Sequence, residues 1–276
     1  MNTLYTKKTL LLEITTVVIA LIFLAPFYFL IANALKPIRE ILIDPSAFPT
    51  SFYINNFVEA FRLLNFPKAF INSFIVTVTA NAALIIAGSM AAYQLVRHNT
   101  RFNRILFLVF ISAMVVPFQS IMIPMVIVAS NLKLINSYYG VVFVYLGFGV
   151  SFTMFLFHGF IKSIPFDIEE AAVIDGCSTL GVFWRIVFPL LKPVIVTVII
   201  LNGLWIWNDF LLPFLIIPGE DMRTIPLSIN SFFSQYSKKW DLAMAGLLMA
   251  VTPAIILFLS LQKYVIEGIV SGSVKG

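Results

Sequence analysis

The sequence predicts an all-α integral membrane protein with six transmembrane helices, and three observations carry that reading. Of its 276 residues, 60% are hydrophobic and only 11% charged, and its mean hydropathy of +0.98 lies far from the balance of a soluble domain. Six apolar segments approach the roughly 20 residues a helix needs to cross hydrocarbon, where an unsatisfied backbone group is costly. The connections between them are polar and very unequal in length. The expected spans are Ile14–Leu35, Asn72–Val96, Ile105–Ala129, Tyr138–Ile161, Val194–Ile217 and Ala243–Gln262, within a single membrane domain covering residues 1–276.

Each span has its own signature. The first follows Lys7 and Lys8 and ends near Ala32-Asn33-Ala34, a pattern shared with cleaved signal peptides. Its apolar run exceeds the roughly 7–15 residues of a signal core, so it is expected to be retained as a membrane helix. Basic residues set the orientation. The short second connection holds Arg97, Arg101 and Arg104, which places it inside together with both termini. Ten of the 18 basic residues then lie inside and eight outside, a small excess, so the dense second loop carries the assignment. Pro117, Pro124, Pro213 and Pro253 interrupt helical hydrogen bonding in the later spans, either as static kinks or as points of bending.

Composition also excludes several classes of function. The single cysteine, Cys177, rules out a disulfide framework within the chain, and two distant histidines, His98 and His158, leave no metal-ligand cluster. The net charge of +5 is expected from basic flanks of membrane spans and does not call for nucleic acid. No G-x-x-x-x-G-K-[ST] run is present, so the chain has no phosphate-cradling loop of that kind and is not expected to hydrolyse ATP itself. Neither histidine has an acid or cysteine near it in sequence, which argues against an intramembrane enzyme. A stand-alone carrier would be expected to show internal repeats with paired broken helices, and no second matching half is visible.

Residues 162–193, between the fourth and fifth spans, read as two short helices facing water. Asp167, Glu169 and Glu170 place negative charge near a helix amino terminus, where the macrodipole favours it, and Pro165 suits a first turn. Gly176 supplies a stop, Ser178 a cap for the second helix, and Pro189 is expected to end it. Ile168, Ala171, Ala172 and Asp175 share one face by spacing, small enough in its middle for another backbone to approach. On spacing alone, a helical surface loop and a docking segment remain equally open.

The wording of this loop carries a resemblance. "EEAAVIDG" followed by "RIVFPLLKP" resembles the EAA motif of the membrane subunits of ABC importers, with Glu170, Ala171, Ala172, Gly176, Ile186 and Pro189 at the matching positions. "NSF" at Asn72, "SMAAYQLVR", "PFQSIMIP", "WNDF" at Trp207–Phe210 and the terminal "SGSVKG" extend it over most of the chain. Together they are similar to the shorter of the two permease subunits of maltose-type carbohydrate importers. Cys177 stands where a small residue such as alanine is usual, a tolerable change because it too is small.

The resemblance implies that 162–193 is a cytoplasmic coupling loop seated on an ATPase subunit. Ala171, Ala172 and Gly176 would give close approach, while Glu169, Glu170 and Asp175 would orient the helix or meet basic groups. It further implies a second, homologous permease, a cytoplasmic ATPase dimer that binds ATP and Mg, and an extracytoplasmic solute-binding protein delivering a di- or oligosaccharide. No cofactor or metal is expected in this chain. Asp209 lies deep in the fifth span, where an unpaired charge costs roughly 2.5–3.5 kcal/mol, so it should meet a partner helix or a watery route. Asn208 and Gln119 are read likewise, as pathway or subunit-interface residues, and Asn81 and Asn202 as groups that line a pathway or bond between helices. His158 and Met154 are read as packed core. The outer loops, 36–71 and 218–242, are long enough to touch a docked protein.

Overall fold

A 28-residue helix, α1 (Lys7–Ala34), opens the computed structural model, which describes residues 7–233 and 239–273, with side chains for 8–233 and 239–260. The terminal "SGSVKG" therefore lies beyond the described side chains, and residues 274–276 lie outside the described chain. Among the described residues, twelve further α-helices follow before the last one. They are α2 (Ile38–Ile43), α3 (Asn55–Leu63), α4 (Phe66–Arg97), α5 (Arg101–Ala113), α6 (Phe118–Asn131), α7 (Tyr138–Ile161), α8 (Asp167–Ile174), α9 (Thr179–Val182), α10 (Phe188–Leu190), α11 (Lys192–Asn208), α12 (Leu211–Ile216) and α13 (Ile225–Ile229). The last helix is α14 (Trp240–Ser273).

Among the described residues, four helices are long and apolar enough to cross a membrane: α1 over Lys8–Ala34, α4, α7, and α14 over Trp240–Ser260. Two of the expected spans take another form. Ile105–Ala129 is divided into α5 and α6, bent by 106°. Pro117 lacks an N–H and disfavours helical geometry in the residue before it, so the chain turns at 114–117 and restarts from extended Pro117. Val194–Ile217 is likewise interrupted. The helix ends at Asn208, Asp209 is extended (φ −74°, ψ 127°), and a short α12 follows. The stretch Thr179–Leu190 meets α11 at 73°. If each bent pair counts as one span, the total is six.

The chain forms two compact units, 1–66 with 229–252 and 67–228 with 253–276. In the first, α1 exposes apolar side chains all round (Phe23 is 73% exposed), as suits a helix whose solvent is lipid. The end of α1 leaves carbonyls without helical partners, and the following loop supplies donors for them. Asn56 Nδ2 donates to the carbonyls of Ala34 (3.0 Å) and Lys36 (2.7 Å), and Tyr53 N donates to that of Leu35 (2.8 Å). Lys36, 1% exposed, turns its ammonium onto the carbonyl of Asp44 at 3.2 Å. Ser46, donating through both N and Oγ, holds the Asp44 carboxyl below the usual carboxylate range.

The second unit is organised on α7, against which α5, α11 and α12 pack. Ser137 caps α7 by accepting from Gly140 N at 3.1 Å. A Cβ on Gly140 would lie 1.9 Å from the Leu134 carbonyl oxygen, so no larger residue fits this approach. One cluster, including Ile85, Met154, Phe157 and Val187, fills the end nearest α8; another, around Leu84, Tyr145 and Leu212, fills the opposite part. Met154 is fully buried, and His158 stacks on Phe107 at 4.1 Å, so both are packing residues as expected. Asn202 Nδ2 donates to Thr153 Oγ1 (2.8 Å) and Asn81 Nδ2 to the Ile199 carbonyl (3.0 Å), so both amides bond between helices.

Candidate functional site

The loop after α7 folds as the local sequence dictates. Three acids stand in the first turn of α8, which begins at Asp167, two residues after Pro165. Gly176 ends it at φ +87°, with Cys177 N donating to the Ala172 carbonyl and Gly176 N to that of Val173, both at 3.0 Å. This is the paired closure that favours glycine after a helix. Ser178 then caps α9, its hydroxyl accepting from Gly181 N at 3.2 Å. The second helical stretch ends at Leu190, one residue past Pro189. Before the proline the stretch passes through a π-helical segment, Phe183–Val187, closed by Phe188 N donating to the Phe183 carbonyl, and the chain turns at Leu191.

The face assigned from spacing is divided by tertiary contacts. Ile168, Ala171 and Asp175 point outward with Glu170, Ile174 and Gly176, whereas Ala172 (8% exposed) and Glu169 (3%) turn into the protein. Glu169 does meet a basic group, but one of its own chain. Its Oε1 accepts from Arg97 Nε at 2.7 Å and lies 2.5 Å from Arg97 Nη2 in an ion pair, and its Oε2 accepts from Tyr93 Oη at 2.8 Å. The inward turn follows from energetics: a buried carboxylate is tolerated only when paired and hydrogen-bonded, and the end of α4 provides both. The outward surface around Ala171 has an exposed apolar part, with Ile174 85% exposed, beside the acids Glu170 and Asp175.

The in-span polar residues separate too. Gln119 is exposed in the first turn of α6, just past the bend at Pro117. Asn208 is exposed at the end of α11, its amide donating back to the Leu204 carbonyl at 2.7 Å. Asp209 sits in the interruption itself. It accepts from Tyr145 Oη (3.0 Å) and from Leu211 N (2.9 Å), so its carboxylate holds the first N–H of α12 and ties the break to α7. A cavity of about 440 Å³ lies between α4, α11 and α14, lined by Phe70, Phe74, Asn81 and Trp207 among others, and none of Gln119, Asn208 and Asp209 reaches it. Its walls are almost wholly apolar. Among the described residues, no three His, Cys, Asp or Glu side chains gather as metal ligands would.

Tyr93 and Arg97 are the participants that sequence reasoning missed. Their signal was present in "SMAAYQLVR": four residues apart, they share one face of the final turns of a helix.

Comparison with known proteins agrees with this architecture. The probable starch degradation products transport system permease protein AmyC of Thermoanaerobacterium thermosulfurigenes is 40% identical over 265 residues, 96% of each chain. The melibiose/raffinose/stachyose import permease protein MelC of Bacillus subtilis is 35% identical over 272 residues, 98% of each. The solved structure of a bacterial ABC transporter involved in the import of the acidic polysaccharide alginate shares the fold, with a TM-score of 0.79 at 20% identity, covering 95% of this chain and 99% of that one. Residues 84–270 match the family described as the binding-protein-dependent transport system inner membrane component. With that match and relatives so similar over nearly its whole length, the chain belongs to this family of multi-pass inner-membrane permeases.

Proposed function

We propose that this chain forms one half of the membrane pathway of an ATP-driven importer for a di- or oligosaccharide. The observation that carries the reading is the two-sided character of α8. Glu169 and Ala172 hold it to its own chain, while Glu170, Ala171, Ile174, Asp175 and Gly176 face outward and are free to seat on a partner. A short helix with a small apolar centre and acidic flanks suits a protein groove. The sugar assignment draws on the relatives, named for starch degradation products and for melibiose, raffinose and stachyose.

In this reading residues 1–276 act as a single membrane domain of six spans, α5 and α6 together forming the third and α11 and α12 the fifth, with both termini and the 162–193 loop cytoplasmic. A cytoplasmic ATPase dimer binds ATP and Mg and docks on the outward face of α8. A second permease completes the pathway, and an extracytoplasmic solute-binding protein delivers the sugar. Gln119 and Asn208, exposed polar groups beside helix breaks, meet the pathway or the second permease, while Asp209 keeps one break in shape.

The test is co-purification of the tagged chain from its native membrane, with mass spectrometry, beside Ala171→Trp and Gly176→Trp. Ala171 is the cleaner site because it is exposed and helical, whereas Gly176 adds backbone strain. Recovery of an ATPase and a second permease with the parent, and loss of the ATPase alone from Ala171→Trp, is the expected result. A parent chain that purifies alone and moves sugar in vesicles without ATP would overturn the proposal in favour of a secondary carrier.

A further inference from the structure

The last turns of α4 and the coupling loop meet in a buried charge network that the outward face of α8 does not include. Arg97 engages the loop at three successive points. Its guanidinium donates to the Ile164 carbonyl oxygen at 3.1 Å, lies 5.6 Å from the Phe166 ring centroid, and grips Glu169 through both Nε and Nη2. Tyr93, one turn earlier on α4, donates to the other oxygen of Glu169 and packs its ring 5.2 Å from Phe183 in the second limb of the loop. The pair's side chains are only 10% and 4% exposed. Water therefore cannot replace these bonds one at a time, and the planar guanidinium fork does not slide along a carboxylate as a lysine would. A push on α8 either carries the end of α4 with it or breaks several charge-assisted hydrogen bonds at once.

We infer that Tyr93, Arg97 and Glu169 form a strut that makes α4 and α8 move as one body, delivering displacement of the coupling helix directly to a membrane span. The inference rests on the reading of α8 as the ATPase-docking helix and deepens it. Glu169 is then a positioning residue facing inward, and docking is left to the neighbouring Glu170 and Ala171.

The experiment uses the assembly purified from its native membrane into lipid nanodiscs, with Cys177, the chain's single cysteine, replaced by serine. Spin labels are placed at His98→Cys and Asp167→Cys, both exposed positions, one just past α4 and the other at the start of α8. Distances are measured by pulsed electron paramagnetic resonance without nucleotide and after trapping with ATP, Mg and vanadate. A rigid strut keeps the mean distance the same in both states. Arg97→Met should broaden the distribution and make it shift with nucleotide, Arg97→Lys should restore part of the width, and Tyr93→Phe, which keeps the ring on Phe183, should give the mildest broadening. The amount of ATPase bound should be unchanged in all three, because the outward face is untouched.

A parent distance that moves on trapping would overturn the strut, as would an Arg97→Met distribution identical to the parent's. If Arg97→Met does not assemble, Tyr93→Phe decides, and a distribution indistinguishable from the parent's counts against the proposal. Absence of any ATPase from the parent preparation is a separate result, which would remove the importer reading and the strut with it.

Discussion

The two ends of α4 carry ion pairs under opposite conditions. At the amino-terminal end Lys68 pairs with Asp221, whose side chains are 46% and 91% exposed; at the carboxyl-terminal end Arg97 pairs with Glu169, at 10% and 4%. Water screens the first pair, and holding two long side chains together there costs about as much entropy as the attraction returns. The second has lost most of its water, so each partner relies on the other and on the few groups around it, Tyr93 and the Ile164 carbonyl, for its solvation. The amino-terminal end is held instead by a neutral amide. Asn72, 3% exposed, donates to the carbonyls of Asp221 (3.0 Å) and Arg223 (2.9 Å) and accepts from Tyr138 Oη (2.7 Å). The contrast shows that burial, not the presence of opposite charges, decides which bond secures a loop.

The largest effect should come from breaking the buried pair on one side only. Arg97→Met leaves Glu169 uncompensated and should cost about 3–5 kcal/mol, seen as a large fall in the thermal unfolding temperature in detergent. Adding Glu169→Leu should recover much of that loss, and simple additivity of the two would show that the side chains do not act as a pair. Midway along α4, a Cβ on Gly88 would lie 2.7 Å from Thr153 Cγ2 and 3.2 Å from Met154 N. Gly88→Ala should therefore cost about 1–3 kcal/mol by the same assay. Thr153→Ser, which removes the methyl but keeps the hydroxyl that Asn202 uses, should relieve part of it.

Asn72→Ala removes both donors from the 221–223 loop and should cost about 1–3 kcal/mol, with faster proteolysis near Arg223 as a second sign. The smallest effect belongs to Lys68→Met, for which no change in unfolding temperature is expected at neutral pH and physiological salt. Its trace should be electrostatic. The hydrogen bond and charge of Lys68 keep the Asp221 carboxyl below its ordinary value of 3.8. Such a depressed value contributes stability above the ordinary carboxylate range, and that contribution is lost as pH falls through the lowered value. In Lys68→Met the Asp221 carboxyl carbon should titrate closer to 3.8 by NMR. A marked loss of stability in this variant would collapse the contrast between the two ends.

Much of the 162–193 loop was legible because its signals are local. Gly176 stops α8, Ser178 caps α9 and the acids crowd the first turn, all within a few residues of the effect they produce. The division of labour between Glu169 and Glu170 was not legible. Two adjacent carboxylates look alike in sequence, and which one turns inward depends on Arg97, 72 positions away. The π-helical segment ahead of Pro189 was not legible either, since its residues Phe183 and Val187 are buried against distant parts of the chain. Asp209 was recognisable as a costly charge, but not as the tie of a helix break to α7, because its donor Tyr145 comes from that other helix.

By itself, the sequence determined that this chain belongs in a membrane and where its longest spans lie. Hydrocarbon demands long runs of apolar residues with internally satisfied backbones, and such runs can be counted in α1, α4, α7 and α14. Only the tertiary structure decided that one expected span bends by 106°, that another breaks at Asp209, and that α8 is bound on one face and open on the other. A bend's angle and a side chain's burial are set by what packs against them, and those neighbours come from distant parts of the chain.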